Sequence, residues 1–120
     1  MITPVFRQNE KNAVKKLRKD LRSGFYSFLV LSILENEGDL HGYAIRKNLE
    51  TLSDGKLVPS EGTLYDLLKS LRKYGLVEDF QAEVGGRFRR YYRITELGSK
   101  VLAELKDEVH VLTETLNKVL

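Results

Sequence analysis

The period of the hydrophobic residues changes near residue 76, and this change constrains the fold more than any other feature of the chain. Before it, apolar residues recur at helical spacing. The clearest helical face consists of four leucines spaced i, i+3, i+4 and i+7, namely Leu64, Leu67, Leu68 and Leu71. Residues 76–82 and 88–94 instead alternate in hydrophobicity on either side of Gly85-Gly86, which predicts a β-hairpin. The chain is therefore expected to be mainly α-helical with a small β-hairpin.

Five helices are expected around this hairpin, four before it and one after it. Ser23-Gly24 is expected to separate the first two helices, while Gly38 and Gly75 are expected to end the second and the fourth. Residues 40–42 are expected to form a short connection. The predicted helices cover residues 7–22, 25–35, 43–52 and 60–74, and the last one follows Thr95 as its N-cap.

Short helices followed by a hairpin form the element order of a winged helix-turn-helix domain, in the α+β class. Residues 60–74 would then be the recognition helix, which enters the major groove of DNA in this class. Residues 77–94 would be the wing, lying on the DNA backbone or in the minor groove. The expected units are an N-terminal dimerisation helix (1–24), the winged domain (25–95) and a C-terminal dimerisation helix (96–120).

Composition bounds the class of protein. The chain has 120 residues, 42% of them hydrophobic and 31% charged, as expected for one soluble domain. It has no cysteine, which excludes disulfides, thiolate catalysis and cysteine-based zinc sites. We find no phosphate-binding glycine loop, nucleophile elbow or paired carboxylates, so neither an enzyme nor a cofactor is expected. The longest apolar run is shorter than a membrane span and no export signal is recognised, so a cytoplasmic location is expected.

The charge is unevenly distributed along the chain. Residues 1–95 carry 17 basic and 12 acidic side chains, which gives +5, while residues 96–120 carry 3 and 5, which gives −2. A basic body with an acidic tail weakly favours a polyanionic partner.

The predicted recognition helix carries a polar face opposite its leucines. Its lysines are suited to phosphates or guanine edges, although Asp66 on the same face opposes phosphate binding unless it accepts from a cytosine amine. A solvated helix surface is the alternative interpretation. Tyr43, on the preceding helix, either fills the core or points its hydroxyl at a phosphate, and we expect the second. The helical residues predicted to contact DNA are Tyr43, Ser60, Gly62, Thr63, Tyr65, Lys69 and Lys73.

The predicted wing is rich in arginine. No acidic residue occurs between Val84 and Thr95, and arginine is used four times where lysine is not used at all. This choice favours planar phosphate recognition over solubility, the alternative being a solvated edge strand blunted by charge. Arginine, tyrosine and arginine alternate on one strand face, which is expected to be strongly basic. The wing residues predicted to contact DNA are Arg87, Arg89 and Arg90.

Two apolar stripes are expected to outrun the core of so small a domain. One is a heptad seam on the last helix, and the other lies on the first helix, which is otherwise mostly basic. A second copy of the chain would cover both stripes, so a homodimer is expected. The residues predicted to dimerise are Val14, Leu17, Leu21, Leu105, Val109, Leu112 and Leu116.

Neither histidine is expected to bind a metal. His41 and His110 are the two histidines of a chain without cysteine, and a metal site needs several ligands. We expect His41 to make a structural hydrogen bond at the start of the third helix. His110 is expected at the surface or at an interface.

Three separated motifs resemble those of the PadR family of transcriptional regulators. They are the His-Gly-Tyr segment at 40–45, the Ser-Glu-Gly-Thr-Leu-Tyr segment at 60–65, and the Arg-Tyr-Tyr-Arg-Ile-Thr-Glu-Leu-Gly segment at 90–98. The resemblance covers residues 25–105 and implies a dimeric winged-helix regulator, mostly of the repressor type, that binds a near-palindromic double-stranded DNA operator. The length resembles the short subfamily with a single C-terminal helix.

The resemblance also implies a small hydrophobic or phenolic effector, because some relatives bind one at the dimer interface. Two departures bear on function. Asp66 stands where relatives often have proline, and the chain lacks the tryptophan with which some relatives stack a ligand. A winged-helix adaptor that binds proteins instead of DNA is the alternative function.

Overall fold

A computed structural model describes the chain from residue 4 to residue 120, and the first three residues of the predicted segment 1–24 lie outside it. Its sheet is antiparallel and has the strand order β1-β3-β2. This confirms a mainly α-helical fold with a small β-hairpin. The elements are α1 (Pro4–Glu37), β1 (Leu40–His41), α2 (Gly42–Leu52), α3 (Glu61–Lys73), β2 (Val77–Val84), β3 (Arg87–Ile94) and α4 (Glu96–Val119).

The first two predicted helices form one helix, so the expected break at Ser23-Gly24 is wrong. α1 continues through both residues over 34 residues in all. Ser23 donates its hydroxyl hydrogen to the carbonyl oxygen of Asp20 at 3.2 Å, inside the helix. A glycine within a helix costs about 1 kcal/mol relative to alanine. The helical turns before and after Gly24 stabilise the continuous helix, and those after it also pack in the core. Together they outweigh that cost.

The predicted connection at residues 40–42 contains a strand, Leu40–His41, that was not predicted from the sequence. Leu40 pairs with Tyr92 and His41 pairs with Tyr91. Two residues are too few to show a period of two, so the strand depends on its partner β3. The hairpin is thereby tied to the beginning of α2.

The core lies where the second half of α1 meets α2, α3, the sheet and the first turns of α4. The leucine face predicted on α3 is confirmed, because Leu64, Leu68 and Leu71 are buried and Leu67 packs against them. The other buried core residues are Val30, Leu31, Ile33, Leu34, Ile45, Leu49, Val77, Tyr92 and Leu102.

The ends of α3 and the start of α4 are set by local hydrogen bonds. Ser60 caps α3 by accepting the Thr63 amide at 3.1 Å. Gly75, at φ +77°, ends α3 in a left-handed turn whose amides bond back to the helix. Thr95 caps α4 through the Gly98 amide at 3.0 Å. A Cβ at Gly98 would overlap the carbonyl oxygen of Leu76, so α4 packs tightly on the hairpin base.

The first half of α1 and the second half of α4 extend beyond the core. Their predicted apolar stripes are uncovered in the single chain, since Val14, Leu17, Leu21, Leu112 and Leu116 are exposed. Leu105 and Val109, nearer the body, are half-buried. Within residues 4–120, no helix combines the length and the hydropathy of a membrane span.

Candidate nucleic-acid interface

α3 presents the predicted polar face away from the core. Gly62, Thr63, Tyr65, Lys69 and Lys73 are all exposed. The Ser60 hydroxyl donates to the Thr63 hydroxyl oxygen at 2.8 Å. The Thr63 hydroxyl hydrogen therefore stays available to a ligand at the first turn of α3.

A cleft between α3 and the hairpin brings five of the predicted DNA-binding residues together. It has a volume of about 620 Å³. Tyr43 and Tyr65 line one side and are 66% and 47% exposed, so neither is a core residue. The side chains that line the cleft are His41, Tyr43, Tyr65, Arg87, Arg89, Arg90 and Tyr92, together with Gly42.

Gly42 shapes this cleft. It is the first residue of α2, and a Cβ there would lie 3.4 Å from the hydroxyl oxygen of Tyr65. The missing side chain allows the Tyr65 ring to lie against the start of α2. The His-Gly-Tyr segment and the recognition helix are thus parts of one surface.

The other predicted residues lie outside the cleft. Ser60 and Thr63 line a separate groove toward α1, with a volume of about 820 Å³. Lys69 and Lys73 follow Tyr65 along the exposed side of α3, one and two turns further on. The predicted set therefore spreads along the whole polar side of α3 and onto the hairpin.

His41 is the N-cap of α2, which confirms the expected structural hydrogen bond. Its Nδ1 accepts from the Ala44 amide at 3.2 Å, while the Nη1 of Arg89 lies 2.8 Å from its Nε2. Burial, and second the positive charge of Arg89, lower the pKa of His41 from its usual 6.5. A neutral imidazole has one lone-pair nitrogen, so it cannot accept from both donors at once. Arg89 and the Ala44 amide therefore compete for one acceptor on the His41 ring.

The expected strongly basic hairpin face contains Arg87, Arg89 and Arg93, and it is wrong at Arg93, which an acidic residue from outside the hairpin neutralises. Arg93 bonds Asp39 at 2.8 Å, and this hydrogen bond holds the pKa of the Asp39 carboxyl below its usual range. On the opposite face of the strand, Arg90 pairs with Asp79 at 3.0 Å, and Arg72 contacts the same carboxylate oxygen. Arg87 has no such ion pair among the side chains described, residues 5–120. The acid-free stretch in the sequence did not reveal these pairs, because β2 and the turn before β1 supply the acids.

The exposure of Phe88 also differs from what strand alternation predicts. It shares that parity with the buried Tyr92, yet it is 75% exposed. It lies next to the turn, opposite Glu83, where the hairpin has passed the end of the core. Strand alternation predicts burial only where something packs on that face.

A row of rings across the sheet was not predicted. Phe80 stacks on Tyr91 at 5.9 Å, Tyr91 meets His41 edge-on at 5.5 Å, and His41 stacks near Tyr43 at 6.2 Å between ring centres. The Arg93 guanidinium lies 4.7 Å from the Phe80 ring centre. The row links the hairpin to the start of α2. The sequence gives no direct signal for this row. Tyr91 faces Phe80 across the hairpin, and this pairing can be read only when the strand register is known.

Within residues 4–120, no group of three His, Asp or Glu side chains is arranged to hold a metal ion. The side chains of the interface offer hydroxyls, guanidiniums, ammonium groups and ring faces. These groups bind anions and planar bases.

Two helices joined by a turn and followed by a two-stranded wing define this molecule as a winged helix-turn-helix DNA-binding domain. Residues 30–104 match the transcriptional regulator PadR-like family. The chain belongs to this family, whose members are transcriptional regulators and not enzymes, as expected from the sequence.

Individual relatives agree with this assignment. A transcriptional regulator from Clostridium thermocellum has 34% sequence identity and a TM-score of 0.75, with 82% of this chain and 93% of that one covered. A PadR family regulator from Eggerthella lenta has 32% identity and a TM-score of 0.74, with 93% and 96% covered. The Escherichia coli transcriptional regulator YqjI is 31% identical over 93 residues, which are 78% of this chain and 43% of that longer protein.

Proposed function

We propose that the chain is a sequence-specific, homodimeric regulator of the repressor type that binds a near-palindromic double-stranded DNA operator in the cytoplasm. The observation that carries this proposal is the cleft that joins Tyr43 and Tyr65 to Arg87, Arg89 and Arg90. Hydroxyls on one side and guanidiniums on the other suit a phosphate backbone that passes between recognition helix and wing.

In this proposal α3 enters the major groove with its N-terminal turns. Ser60, Gly62 and Thr63 bring the positive end of the helix close to a phosphate. Tyr65 positions the helix, and Lys69 and Lys73 meet phosphates or guanine edges. Asp66 is exposed on the same helix and would select against sites that lack a cytosine amine.

The wing arginines have different roles because their partners differ. Arg87 is available, while Arg89 needs to leave only the ring of His41. Arg90 would leave Asp79 in order to bind a phosphate. The Asp79 carboxylate would then keep Arg72 as its partner. Arg87 and Arg89 are therefore proposed to supply most of the wing's affinity.

The proposed dimer covers the apolar residues that the single chain leaves exposed or half-buried. The predicted dimerisation residues are Val14, Leu17, Leu21, Leu105, Val109, Leu112 and Leu116, and they follow two helices that extend past the core. A two-fold axis between such helices would place two recognition helices about 34–36 Å apart, one turn of DNA.

An apolar effector is part of the proposal. A groove of about 430 Å³ between α1 and α4 is lined by Leu21, Phe25 and Phe28 on one side and by Leu105, Val109 and Leu112 on the other. It adjoins the proposed dimer seam, where a small hydrophobic or phenolic molecule would alter subunit packing. Titration calorimetry with simple aromatic acids tests this part.

The test of the main proposal is selection of bound duplexes from a random DNA pool at two salt concentrations. The expected result is a near-palindrome whose half-sites are one turn apart, bound more weakly at high salt because phosphate contacts release counterions. Binding that is absent, or that does not respond to salt, would contradict the proposal and favour a protein-binding adaptor.

Two variants then assign the contacts. Lys69→Ala and Arg89→Ala are each expected to weaken binding to every sequence and to lower the salt slope by about one unit. Lys106→Ala, on α4 and outside the cleft, is the matched control and should keep the slope of the unsubstituted protein. An unchanged slope for Arg89→Ala would remove that residue from the interface.

A further inference from the structure

The first half of α1 carries a row of basic side chains that the site described above does not include. The α1 basic row consists of Lys11, Lys15, Arg18 and Arg22. Its members recur at spacings of four, three and four, so they lie along one side of the helix. The row precedes residues 30–104, the part of the chain that matches the family.

This row faces the beginning of the recognition helix. Its four side chains form one wall of the groove of about 820 Å³, and Val58, Pro59, Ser60 and Thr63 form the other. Ser60 and Thr63 belong to the proposed DNA-binding face at the N-terminus of α3. The row and that face are therefore parts of one continuous surface.

The charges of the row are not neutralised within the chain. Among the side chains described, residues 5–120, none of the four has an acidic partner within salt-bridge distance. Glu10 contributes the one negative charge among the residues that line the groove. Lys16, on another side of the same helix, does pair with Asp20, at 3.0 Å. Repulsion among unpaired cations in one row favours a polyanion that lies along it.

The dimensions and the neighbouring surfaces agree with DNA as that polyanion. From Lys11 to Arg22 the helix rises by about 16 Å, which corresponds to roughly five base-pair steps of 3.4 Å. The apolar stripe of Val14, Leu17 and Leu21 is centred roughly 100° away around the helix, given 3.6 residues per turn. Val14 also lines the groove, at the border between the two surfaces. A subunit packed on Leu17 and Leu21 would therefore adjoin the basic row without covering it.

We propose that the α1 basic row binds the phosphate backbone of the DNA whose major groove α3 enters, next to the N-terminus of α3. This inference rests on the proposed function, because it extends the same interface. Lysine and arginine side chains on a helix that does not itself enter a groove contact phosphates without reading bases. The row would add affinity for any sequence and would leave the preference among sequences unchanged.

The experiment compares two triple variants with equal loss of charge. Lys15→Gln/Arg18→Gln/Arg22→Gln removes most of the row, and Lys16→Gln/Lys100→Gln/Lys106→Gln removes three cations elsewhere on α1 and α4. Glutamine keeps the helix propensity of both helices. Fluorescence anisotropy measures the affinity of each protein, across a series of salt concentrations, for the selected operator duplex and for a scrambled duplex of equal length.

The row variant is expected to bind both duplexes more weakly by the same factor, at least tenfold. Its salt slope should fall by about 0.9 for each lost phosphate contact, or about 2.7 for each protomer. The control variant should keep the slope of the unsubstituted protein. Equal slopes for the two variants, or a loss confined to the operator duplex, would overturn the inference.

The acidic α4 of a second copy is the other molecule that could bind the α1 basic row. Sedimentation of both variants tests this alternative. A row variant that sediments as a monomer while the control stays dimeric would overturn the inference in favour of that contact. Failure of the proposed function is recognised separately, because the unsubstituted protein would then bind neither duplex in a salt-dependent way.

Discussion

The packed body of the molecule and its two extended helix ends have similar residue types but use them differently. In the body, the core leucines are buried and three of the four hairpin arginines meet Asp39, Asp79 or His41, while Arg87 has no acidic partner among the described side chains. In the first half of α1, leucines are exposed and the basic row has no acidic partners among the described residues. The body neutralises part of its hairpin charge, whereas the ends leave their leucines and their row of cations uncovered in the single chain. Residue type alone therefore does not distinguish a core from an interface.

Two leucine substitutions should show the largest difference between the regions. Leu68→Ala, in the core, is expected to cost about 2–5 kcal/mol of unfolding free energy, because it leaves a cavity. Leu17→Ala, on the exposed stripe, should change the free energy of the dilute chain by about 0.5 kcal/mol or less. Urea unfolding at several protein concentrations measures both, and a large loss for Leu17→Ala in dilute solution would contradict the distinction.

Concentrated samples add a second readout for Leu17→Ala. If the stripe is a dimer surface, the unfolding midpoint of the unsubstituted protein rises with protein concentration, since association stabilises the folded state. Leu17→Ala should reduce that rise.

Leu112→Asp should dissociate the proposed dimer and leave the body folded. An aspartate in the apolar seam of α4 would be buried without a partner in the dimer, and it would be solvated in the monomer. Sedimentation velocity measures the association state, and circular dichroism shows that the helices are retained. Glu114→Asp, on the same helix but not in the predicted seam, is the control. If Leu112→Asp remains dimeric, Leu112 does not lie in the dimer interface.

Two glycines should respond to alanine with opposite signs. Gly98→Ala forces a Cβ against the carbonyl oxygen of Leu76 and is expected to destabilise the fold by about 1–3 kcal/mol. Gly24→Ala meets nothing within 4 Å and should stabilise α1 by up to about 1 kcal/mol. Thermal unfolding of both variants tests the pair. A stabilising Gly98→Ala would contradict the tight packing of α4 on the hairpin base.

The smallest expected effect is the pH dependence that comes from His41. Its pKa is lowered in the folded chain, so the unfolded chain binds the proton more readily. The stabilising contribution is therefore complete above the usual histidine pKa of about 6.5 and is lost as the pH falls through the lower folded value. Protonation also removes the acceptor for Ala44 and places a second cation beside Arg89, among the rings of Tyr43 and Tyr91.

His41→Asn is the matched variant for this effect, because asparagine also caps helices but does not titrate. The unsubstituted protein should lose stability to urea between pH 7 and pH 5 by more than His41→Asn does. Equal losses would show that His41 does not contribute to the pH dependence.

Much of the fold follows from local signals. The leucine face of α3, the caps Ser60 and Thr95, the left-handed end at Gly75 and the turn at Gly85-Gly86 each depend on residues within a few positions of one another. These signals predicted α2, α3, the hairpin and α4. The apolar stripes that outrun the core were also predictable, since helix length and core size both follow from the sequence.

The errors concern contacts between residues that are distant in the chain. The continuity of α1 across Ser23-Gly24 depends on packing in its second half, and β1 depends on β3. The neutralisation of Arg90 and Arg93 depends on Asp79 and Asp39, which lie outside the arginine stretch. Phe88 is exposed because no element covers that part of the hairpin.

The sequence by itself determined the element order, the helix ends and the family of this regulator, because short-range spacing and capping chemistry decide them. Tertiary structure decided which charges are neutralised and which are left for a partner. The hairpin arginines and the α1 basic row look alike in the sequence. They differ because the fold brings Asp79 to Arg90 and Asp39 to Arg93, while the row on α1 meets no acid among the residues described.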